Sequence, residues 1–226
     1  MKKMQKPICI IPARAGSKRI KNKNIIYFMG KPIIAYSILL AIQSKLFKRI
    51  VVSTDCKKIK KISEKYGAEV PFLRSKKLSD DHTGTDQVIR DCIKNLKSEN
   101  NKYHFCIYPT SPLLKKKDLV DSFKKIKKLK FDRLISVGKF NSSPLRAFKR
   151  KKNHISYLNK KYIFKRSQDL PSHYFDAGNF YIYRTTSVLN NKGIPKKTTF
   201  HLLNNTVDVN YKNDLKLLKF FFKPQK

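Results

Sequence analysis

Tryptophan is absent from this 226-residue sequence, and acidic residues are scarce, with 15 Asp and Glu against 52 Lys and Arg. No apolar stretch approaches the roughly 20 residues that a membrane-spanning helix needs. The four cysteines are scattered without a C-x-x-C pair, which argues against a disulfide framework or a zinc site. A basic flank opens the chain, but the apolar run behind it stops at Pro12 and is too short for a signal-peptide core. These absences predict a cytoplasmic protein with no membrane partner.

The scarcity of acids leaves a formal net charge of +37, and so basic a chain is often a nucleic-acid binder. Here the excess is mostly lysine and is spread along the chain, on predicted helix faces such as 57–61 and 124–128. Nucleic-acid readers usually concentrate arginine and exposed aromatic residues on one face. We interpret the charge as a compositional bias, of the kind that an AT-rich genome produces, and predict no specific nucleic-acid partner.

Apolar runs and helical patterns alternate along the first 138 residues. Strands are predicted at Cys9–Ile11, Arg49–Ser53, Glu69–Leu73, Tyr103–Tyr108 and Arg133–Val137, and helices at Ile33–Ser44, Lys57–Tyr66, Gly84–Leu96 and Lys117–Leu129. Such alternation predicts one α/β domain over residues 1–226, a three-layer sandwich around a mostly parallel, Rossmann-like sheet. Ligands of such sheets bind at the carboxyl ends of the strands.

The alternation of strand and helix patterns stops between residues 139 and 175. This stretch is polar, basic and rich in turn residues, and a hairpin is predicted in the region of 153–160. A long excursion without helical pattern is typical of a lid, a binding arm or a dimerisation element. Core character returns at Phe180–Tyr183. A last strand at His201–Asp208 and a closing helix at Leu215–Phe222 complete the prediction.

The most informative segment is Ile8–Asn24. A short apolar run ends at Pro12 and leads into a loop with small residues and five cationic side chains. Such a loop is suited to hold a polyphosphate, because Gly16 and its small neighbours let backbone N–H groups approach the oxygens. Arg14, Lys18 and Lys23 would offset the negative charge. The loop matches neither the P-loop pattern nor the G-x-G-x-x-G fingerprint.

Five short blocks, in order, resemble the N-acylneuraminate cytidylyltransferase family (CMP–sialic acid synthetases). They are Ile11–Lys18, Lys23–Asn24, Val51–Asp55, Pro109–Leu113 and Arg166–Pro171. Two further blocks, Leu78–Thr85 and Asp176–Tyr181, are similar to the pseudaminic acid branch, as are Ala177 and Tyr108, where sialic acid enzymes tend to have asparagine and glutamine. The resemblance implies a nucleotide-diphospho-sugar transferase fold in which residues 139–175 form an inserted arm for dimerisation and sugar binding, and hence a homodimer.

The resemblance also implies a reaction. The anomeric hydroxyl of a nine-carbon 2-keto sugar acid would attack the α-phosphorus of CTP and give a CMP-sugar and pyrophosphate, with Mg²⁺ as cofactor. Pseudaminic acid is the favoured acceptor, and legionaminic and N-acetylneuraminic acids are the alternatives; the product would serve glycosylation of cell-surface glycans or flagellin. Outside the enzyme class, a basic RNA-binding protein on a degenerate transferase scaffold stays open.

The family pattern assigns one group of residues to the nucleotide. Four of them, Arg14, Ser17, Lys18 and Lys23, would hold the β- and γ-phosphates, while Asn24 would reach the ribose or the α-phosphate. The same loop contributes Ala13 and Gly16, and the cytosine edge would be read by Arg74, Thr83, Gly84 and Thr85. A surface cation near a strand end is the alternative for Arg74. Asp55 is expected to pin the loop beside the phosphates.

A second group is assigned to the sugar acid, whose carboxylate needs a cation with fork geometry. The candidates in the arm are Arg146, Lys165 and Arg166, some of them acting across the dimer. Gln168 and Asp169 would bind hydroxyl or acylamino groups, and a turn cap before Pro171 is the alternative for Asp169. The predicted substrate-binding set also includes Tyr108, Thr110, Ser111 and Asp176.

The metal site departs from the family pattern. The family places Asp-x-Asp after its last strand, and this chain has Asp208-Val209-Asn210 instead. Because Mg²⁺ prefers anionic oxygen ligands, the amide predicts weaker binding. Either CTP phosphates supply the missing ligands beside Asp208 and Asn210, or activity is reduced. Capping of a strand-to-helix turn is the alternative for Asp208. Together with Arg14 and Lys23, Asp208 is predicted to serve catalysis directly.

Overall fold

The computed structural model describes residues 5–190, 195 and 197–223. The strands in this part of the chain are β1 (Ile8–Pro12), β2 (Tyr27–Phe28), β3 (Lys31–Pro32), β4 (Arg49–Ser53), β5 (Tyr103–Ile107), β6 (Arg133–Lys139), β7 (Phe148–Lys151), β8 (His154–Tyr157), β9 (Tyr174–Arg184) and β10 (Thr198–Leu202). The helices are α1 (Ile33–Ser44), α2 (Lys57–Lys65), α3 (Thr85–Asn95), α4 (Lys116–Leu129), α5 (Thr185–Asn190) and α6 (Lys212–Phe221).

Within these residues a six-stranded sheet has the order β10-β6-β9-β5-β1-β4. β1 pairs in parallel with β4 and β5, and β10 pairs in parallel with β6. Only β9, which lies between β5 and β6, runs antiparallel to its neighbours in this sheet. The predicted mostly parallel sheet is confirmed.

Helices cover both faces of the sheet, which is why β1 and β5 are almost wholly apolar. Alternate β1 residues point to opposite faces: Cys9 and Ile11 pack with α1, α2 and α4, whereas Ile8 and Ile10 pack with α3 and α5. The predicted stop of α2 is also confirmed, because Gly67 follows the helix with φ +91°. The three-layer α/β prediction is therefore correct.

The predicted strand at Glu69–Leu73 is wrong. Only isolated bridges form there, from Glu69 to Val51 and from Leu73 to Thr54. Pro71, between the two bridges, has no N–H to donate to a ladder. The segment nevertheless follows the edge of β4, and the N–H of Arg74 donates to Thr54 O at 2.8 Å. This pairing carries Arg74 to the carboxyl end of the sheet.

The predicted last strand is present as β10, but the predicted bounds, His201–Asp208, are wrong, because the strand covers Thr198–Leu202. Apolar and polar residues do alternate after β10, but the apolar side chains are buried by packing against a core cluster and not by pairing in the sheet. Val207 and Val209 are buried in a third core cluster, against Phe28 and Leu218, and Asp208 between them is exposed. The cluster also contains Ile20, so it brings the segment after β10 to the loop that follows β1 (residues 13–24), called the opening loop below.

The arm (residues 139–175) contains the antiparallel pair β7 and β8, so a hairpin is present in the predicted region. All eight of its strand residues are exposed. Asn159 follows the hairpin and caps a short 3₁₀ turn through its side-chain oxygen. Among the described residues no helix has the length and apolarity to cross a membrane.

Candidate active site

A cavity of about 450 Å³ opens where β1 and β5 end, at the carboxyl edge of the sheet. The predicted site residues that line it are Arg14, Ser17, Lys18, Lys23, Asn24, Arg74, Thr83, Thr85, Tyr108, Thr110 and Asn210. These residues come from five separate segments of the chain. The topology therefore assembles most of the predicted nucleotide group around one space.

The opening loop is tied down at three points. Ala13 N–H donates to Ser53 O at 2.8 Å, and Ala15 N–H donates to the Asp55 carboxylate at 2.9 Å. The buried side chain of Asn24 donates from Nδ2 to Arg14 O at 2.9 Å. The expectation that Asp55 pins this loop is confirmed. Asn24 lines the cavity and also holds the loop, so it orders the residues that would meet a phosphate.

Three cations of this loop face the cavity in different surroundings. Arg14 and Lys18 stand at the mouth, where both pair with Asp81. Lys23 lies deeper and donates from Nζ to Val209 O at 2.7 Å. Burial lowers the pKa of Lys23, and the negative charge of Asp208 opposes that shift. The cavity lining thus carries more cations than anions.

Arg74 is 5% exposed, so the alternative that it is a surface cation is wrong. Its Nε donates to Ser79 Oγ at 3.2 Å, while its buried Nη2 has no hydrogen-bond partner among the described residues. Burial lowers the pKa of Arg74, and Asp55 opposes the shift. A buried donor without an acceptor costs free energy. Arg74 lines the cavity, so a ligand that reached Nη2 with an acceptor would satisfy it.

Two hydroxyl groups meet in the cavity lining. Thr85 Oγ1 and the Tyr108 hydroxyl are hydrogen-bonded to each other. The Tyr108 ring packs edge-on against Tyr181, and Tyr181 donates its hydroxyl to Asp176 Oδ2 at 2.8 Å. Burial raises the pKa of Tyr108, which keeps the phenol protonated. Thr85 and Tyr108 thus give the cavity lining two neutral hydroxyl groups, and Tyr181 and Asp176 lie behind them.

A sequence model described as cytidylyltransferase matches residues 8–221. The chain belongs to the cytidylyltransferase family. It is a nucleotidyltransferase, as the sequence predicted.

Known relatives of this cytidylyltransferase carry sugar-acid names. Pseudaminic acid cytidylyltransferases from two *Campylobacter jejuni* strains are each 40% identical to it, over 96% of this chain and 97% of theirs. A CMP-N,N′-diacetyllegionaminic acid synthase of *Legionella pneumophila* is 32% identical over 88% of this chain and 87% of its own length. The predicted resemblance to the nonulosonate enzymes is confirmed.

Solved structures share the fold at low identity. A CMP:2-keto-3-deoxy-manno-octonic acid synthetase complexed with CTP aligns with a TM-score of 0.72 at 14% identity, covering 96% of this chain and 98% of that one. A 4-diphosphocytidyl-2C-methyl-D-erythritol synthase from *Anaerococcus prevotii* aligns with a TM-score of 0.64 at 12% identity, covering 96% of each chain. Both likenesses support the predicted transferase fold.

Several predicted residues of this cytidylyltransferase lie outside the cavity. They are Ala13, Gly16, Gly84, Ser111, Arg146, Arg166, Gln168, Asp169, Asp176 and Asp208. Ser111 is buried and bonded to Asn179. In the arm, Arg166 pairs with Asp169 at 2.8 Å, and Arg146 donates to Ser167 Oγ at 3.2 Å. One chain therefore brings most of the nucleotide group together, but of the sugar-acid group only Tyr108 and Thr110 line the cavity. The roles of both groups stay predictions.

The residues predicted to bind metal adjoin the cavity. Asn210 lines it, and Asn210 Nδ2 donates to Asp208 Oδ2 at 2.6 Å. The same carboxylate lies beside Gly178, where an added Cβ would be 3.5 Å from Asp208 Cγ. The capping alternative for Asp208 is not supported, because Asp214 accepts from the N–H groups of Asn210 and Tyr211 at the start of α6.

Sequence reasoning gave no role to two residues that line the cavity, Arg19 and Asp81. Arg19 was one of the loop cations, and Asp81 lay inside a block that resembles the family. A charged side chain beside a recognised motif was the available signal in both cases. Only the structure shows that Asp81 pairs with Arg14, a residue 67 positions earlier in the chain.

Proposed function

We propose that this cytidylyltransferase transfers CMP from CTP to a nonulosonic acid, with pseudaminic acid as the favoured substrate, and releases pyrophosphate. One observation carries the proposal: buried Arg74, which keeps a guanidinium nitrogen without a hydrogen-bond partner among the described residues, lines the same cavity as the cations Arg14, Lys18 and Lys23. That arrangement suits a ligand with acceptors at one end and several negative charges at the other. The 40% identity to the *Campylobacter jejuni* enzymes favours pseudaminic acid over legionaminic acid.

The residues suit phosphoryl transfer, which depends on charge neutralisation and in-line positioning more than on covalent help. Arg14 and Lys18 would bind the β- and γ-phosphates, which leave as pyrophosphate. Lys23, deeper in the cavity and near Asp208, would stabilise negative charge at the α-phosphate as the sugar hydroxyl attacks. Arg74, with Thr83 and Thr85 nearby, would hold the cytosine.

We further propose Mg²⁺ as the cofactor, held by Asp208, Asn210 and nucleotide phosphates. No group of three or more His, Cys, Asp or Glu side chains in the described part of the chain is arranged for a metal. That fits a cation that commonly keeps waters and takes only one or two carboxylates beside substrate phosphates. When bound, the ion would neutralise phosphate oxygens.

The exposed arm supports a homodimer. An isolated two-stranded hairpin is marginally stable in water. Yet β7 and β8 present Phe148 and Ile155 to solvent, and Phe164 nearby is 97% exposed. Burial of these side chains on a second copy would place Arg146 or Arg166 at that copy's sugar site. We propose that the dimer acts in the cytoplasm, where CTP is available.

Side-by-side turnover with pseudaminic, legionaminic and N-acetylneuraminic acids tests the substrate. The assay measures pyrophosphate released from CTP in the presence of Mg²⁺, and calorimetry measures CTP uptake by the enzyme alone. We expect CTP uptake and fastest release with pseudaminic acid. Absence of CTP uptake, or RNA retention that falls steeply with salt and no turnover with any acid, would favour the RNA-binding alternative.

A further inference from the structure

Asp81 uses both of its carboxylate oxygens on the cations at the cavity mouth. Oδ1 lies 2.6 Å from Arg14 Nη2, and Oδ2 lies 2.5 Å from Lys18 Nζ. Arg14 is further held by the backbone carbonyls of Ser79 and Asp80. The two cations that the proposed function gives to the departing pyrophosphate are therefore already paired with an anion of the protein.

The loop that carries Asp81 is shaped by its own hydrogen bonds. Asp80 Oδ1 accepts from His82 N at 3.1 Å, from Thr83 N at 2.7 Å and from Thr83 Oγ1 at 2.6 Å. These bonds lie within four residues and do not involve Arg14 or Lys18. They fix the turn on which Asp81 sits, so its carboxylate is presented to the cavity by the loop.

The bridge is placed where a polyanion can displace it. The Lys18 side chain is 82% exposed, and those of Arg14 and Asp81 are about one-third exposed. Ion pairs in contact with water contribute little free energy, because solvent screens them. Hydrogen bonds from Lys18 and Arg14 lower the pKa of Asp81, so the carboxylate is ionised at neutral pH.

We propose that Asp81 is an internal competitor for the pyrophosphate subsite: its carboxylate occupies Arg14 and Lys18 in the free enzyme, yields them to the β- and γ-phosphates of CTP, and reclaims them as pyrophosphate leaves. The inference rests on the proposed function and deepens it. Competition by a tethered anion lowers the affinity for every ligand that needs these two cations. It leaves unchanged the affinity for CMP, which has no β- or γ-phosphate. Asp81 thus limits product inhibition by pyrophosphate.

The test compares Asp81→Asn with the wild-type enzyme by calorimetry, using inorganic pyrophosphate, CTP and CMP as separate probes. We expect Asp81→Asn to bind pyrophosphate and CTP more tightly, on the order of tenfold, since two exposed ion pairs no longer compete. CMP binding should be unchanged. In turnover, pyrophosphate should inhibit the variant at a correspondingly lower concentration. Asp81→Glu, which keeps the charge, should behave like the wild type.

Asp121→Asn is the matched control, because it removes one carboxylate on α4, outside the residues that line the cavity. An equal gain in that variant, or an equal gain for CMP, would assign the effect to net charge and overturn the proposal. Weaker pyrophosphate binding in Asp81→Asn would overturn it as well, because Asp81 would then be orienting Arg14 for the ligand. Pyrophosphate binding needs no sugar, so the result is separate from the substrate assay. Wild-type enzyme that fails to take up CTP would instead count against the proposed function.

Discussion

Arg74 is the residue whose proposed role in binding CTP would come at the expense of stability. Its guanidinium is buried and keeps one amino group without a partner in the described structure. Such a group weakens the empty protein and strengthens a complex that supplies an acceptor. The sequence placed Arg74 near the base, but it could not show burial, because the edge pairing of 69–74 with β4 decides it.

Arg74→Met should therefore separate the two effects. We expect CTP affinity to fall by about 1–3 kcal/mol, because a hydrogen bond to a charged donor is lost. The thermal midpoint of the empty enzyme should hold or rise, because an unpaired buried charge is gone. Calorimetry with CTP and thermal melts without it measure both quantities.

Arg49→Met is the control for Arg74→Met. Arg49 pairs with Glu69 on the surface at 2.6 Å and does not line the cavity. The Arg49→Met variant should leave the affinity for CTP unchanged. A large drop in the melting temperature of empty Arg74→Met, with CTP affinity intact, would show that Arg74 is structural.

Asn210 is the residue at which this chain departs from the family's two carboxylates. Asn210→Asp should lower the Mg²⁺ concentration needed for half-maximal turnover, by about tenfold, because a second anionic oxygen joins Asp208. Titration of Mg²⁺ at saturating CTP measures the change. The control is Asn204→Asp, an exposed substitution of the same charge after β10. An unchanged Mg²⁺ requirement in Asn210→Asp would count against this metal site.

At the scale of elements, His104 in β5 joins three parts of the fold. It is fully buried, with Nε2 3.0 Å from Ser98 Oγ after α3 and Nδ1 2.9 Å from Thr185 Oγ1 at the start of α5. Burial lowers the pKa of His104 to about 4. The ring is therefore neutral in the folded protein at physiological pH.

The lowered pKa of His104 predicts that the folded protein loses stability in acid. The unfolded chain takes up the proton near pH 6.5 and the folded protein only near pH 4, so the stability that the neutral ring confers is complete above pH 6.5 and is lost as the pH falls to about 4. The loss from this group amounts to about 3 kcal/mol. Urea unfolding between pH 4 and 8 measures it. His104→Gln should be less stable at pH 8 but show a shallower decline; an identical decline would assign the effect to other groups.

The elements also show where reading the sequence failed. Runs that are buried on both faces, such as β1 and β5, were recognised because their composition leaves no alternative. Residues 69–73 and 203–208 have strand-like composition. The first segment forms only isolated bridges, and Val207 of the second packs into a core cluster. An alternation of apolar and polar residues shows that one side of a segment is buried. It does not show whether the segment pairs with other strands in a sheet.

At the scale of the whole molecule, the arm needs a partner. Phe164→Ser together with Ile155→Ser should convert the proposed dimer to a monomer, because the exposed apolar side chains of the arm are removed. We expect CTP binding to persist and sugar-dependent pyrophosphate release to fall by at least about tenfold, since positioning of the acid is lost. Analytical ultracentrifugation and the turnover assay measure the two effects.

Phe220→Ser, an exposed aromatic on α6, serves as the control for the arm variant. It should keep the oligomeric state and turnover. A wild-type protein that sediments as a monomer and still turns over the acid would remove the dimer from the proposal. The net charge of +37 makes moderate salt necessary in these measurements, to suppress non-specific association.

The order of short motifs by itself determined the family and the reaction class, and it singled out the loop predicted to meet the phosphates. Those features are local: a strand, a turn and a few cations lie close in sequence, so their chemistry can be read without a fold. The tertiary structure alone decided which distant residues meet them. Asp55 on Ala15, Val209 on Lys23 and Asp81 on Arg14 are contacts across 40 to 186 positions. Strand order and helix packing set such contacts, and neither is written in a local pattern.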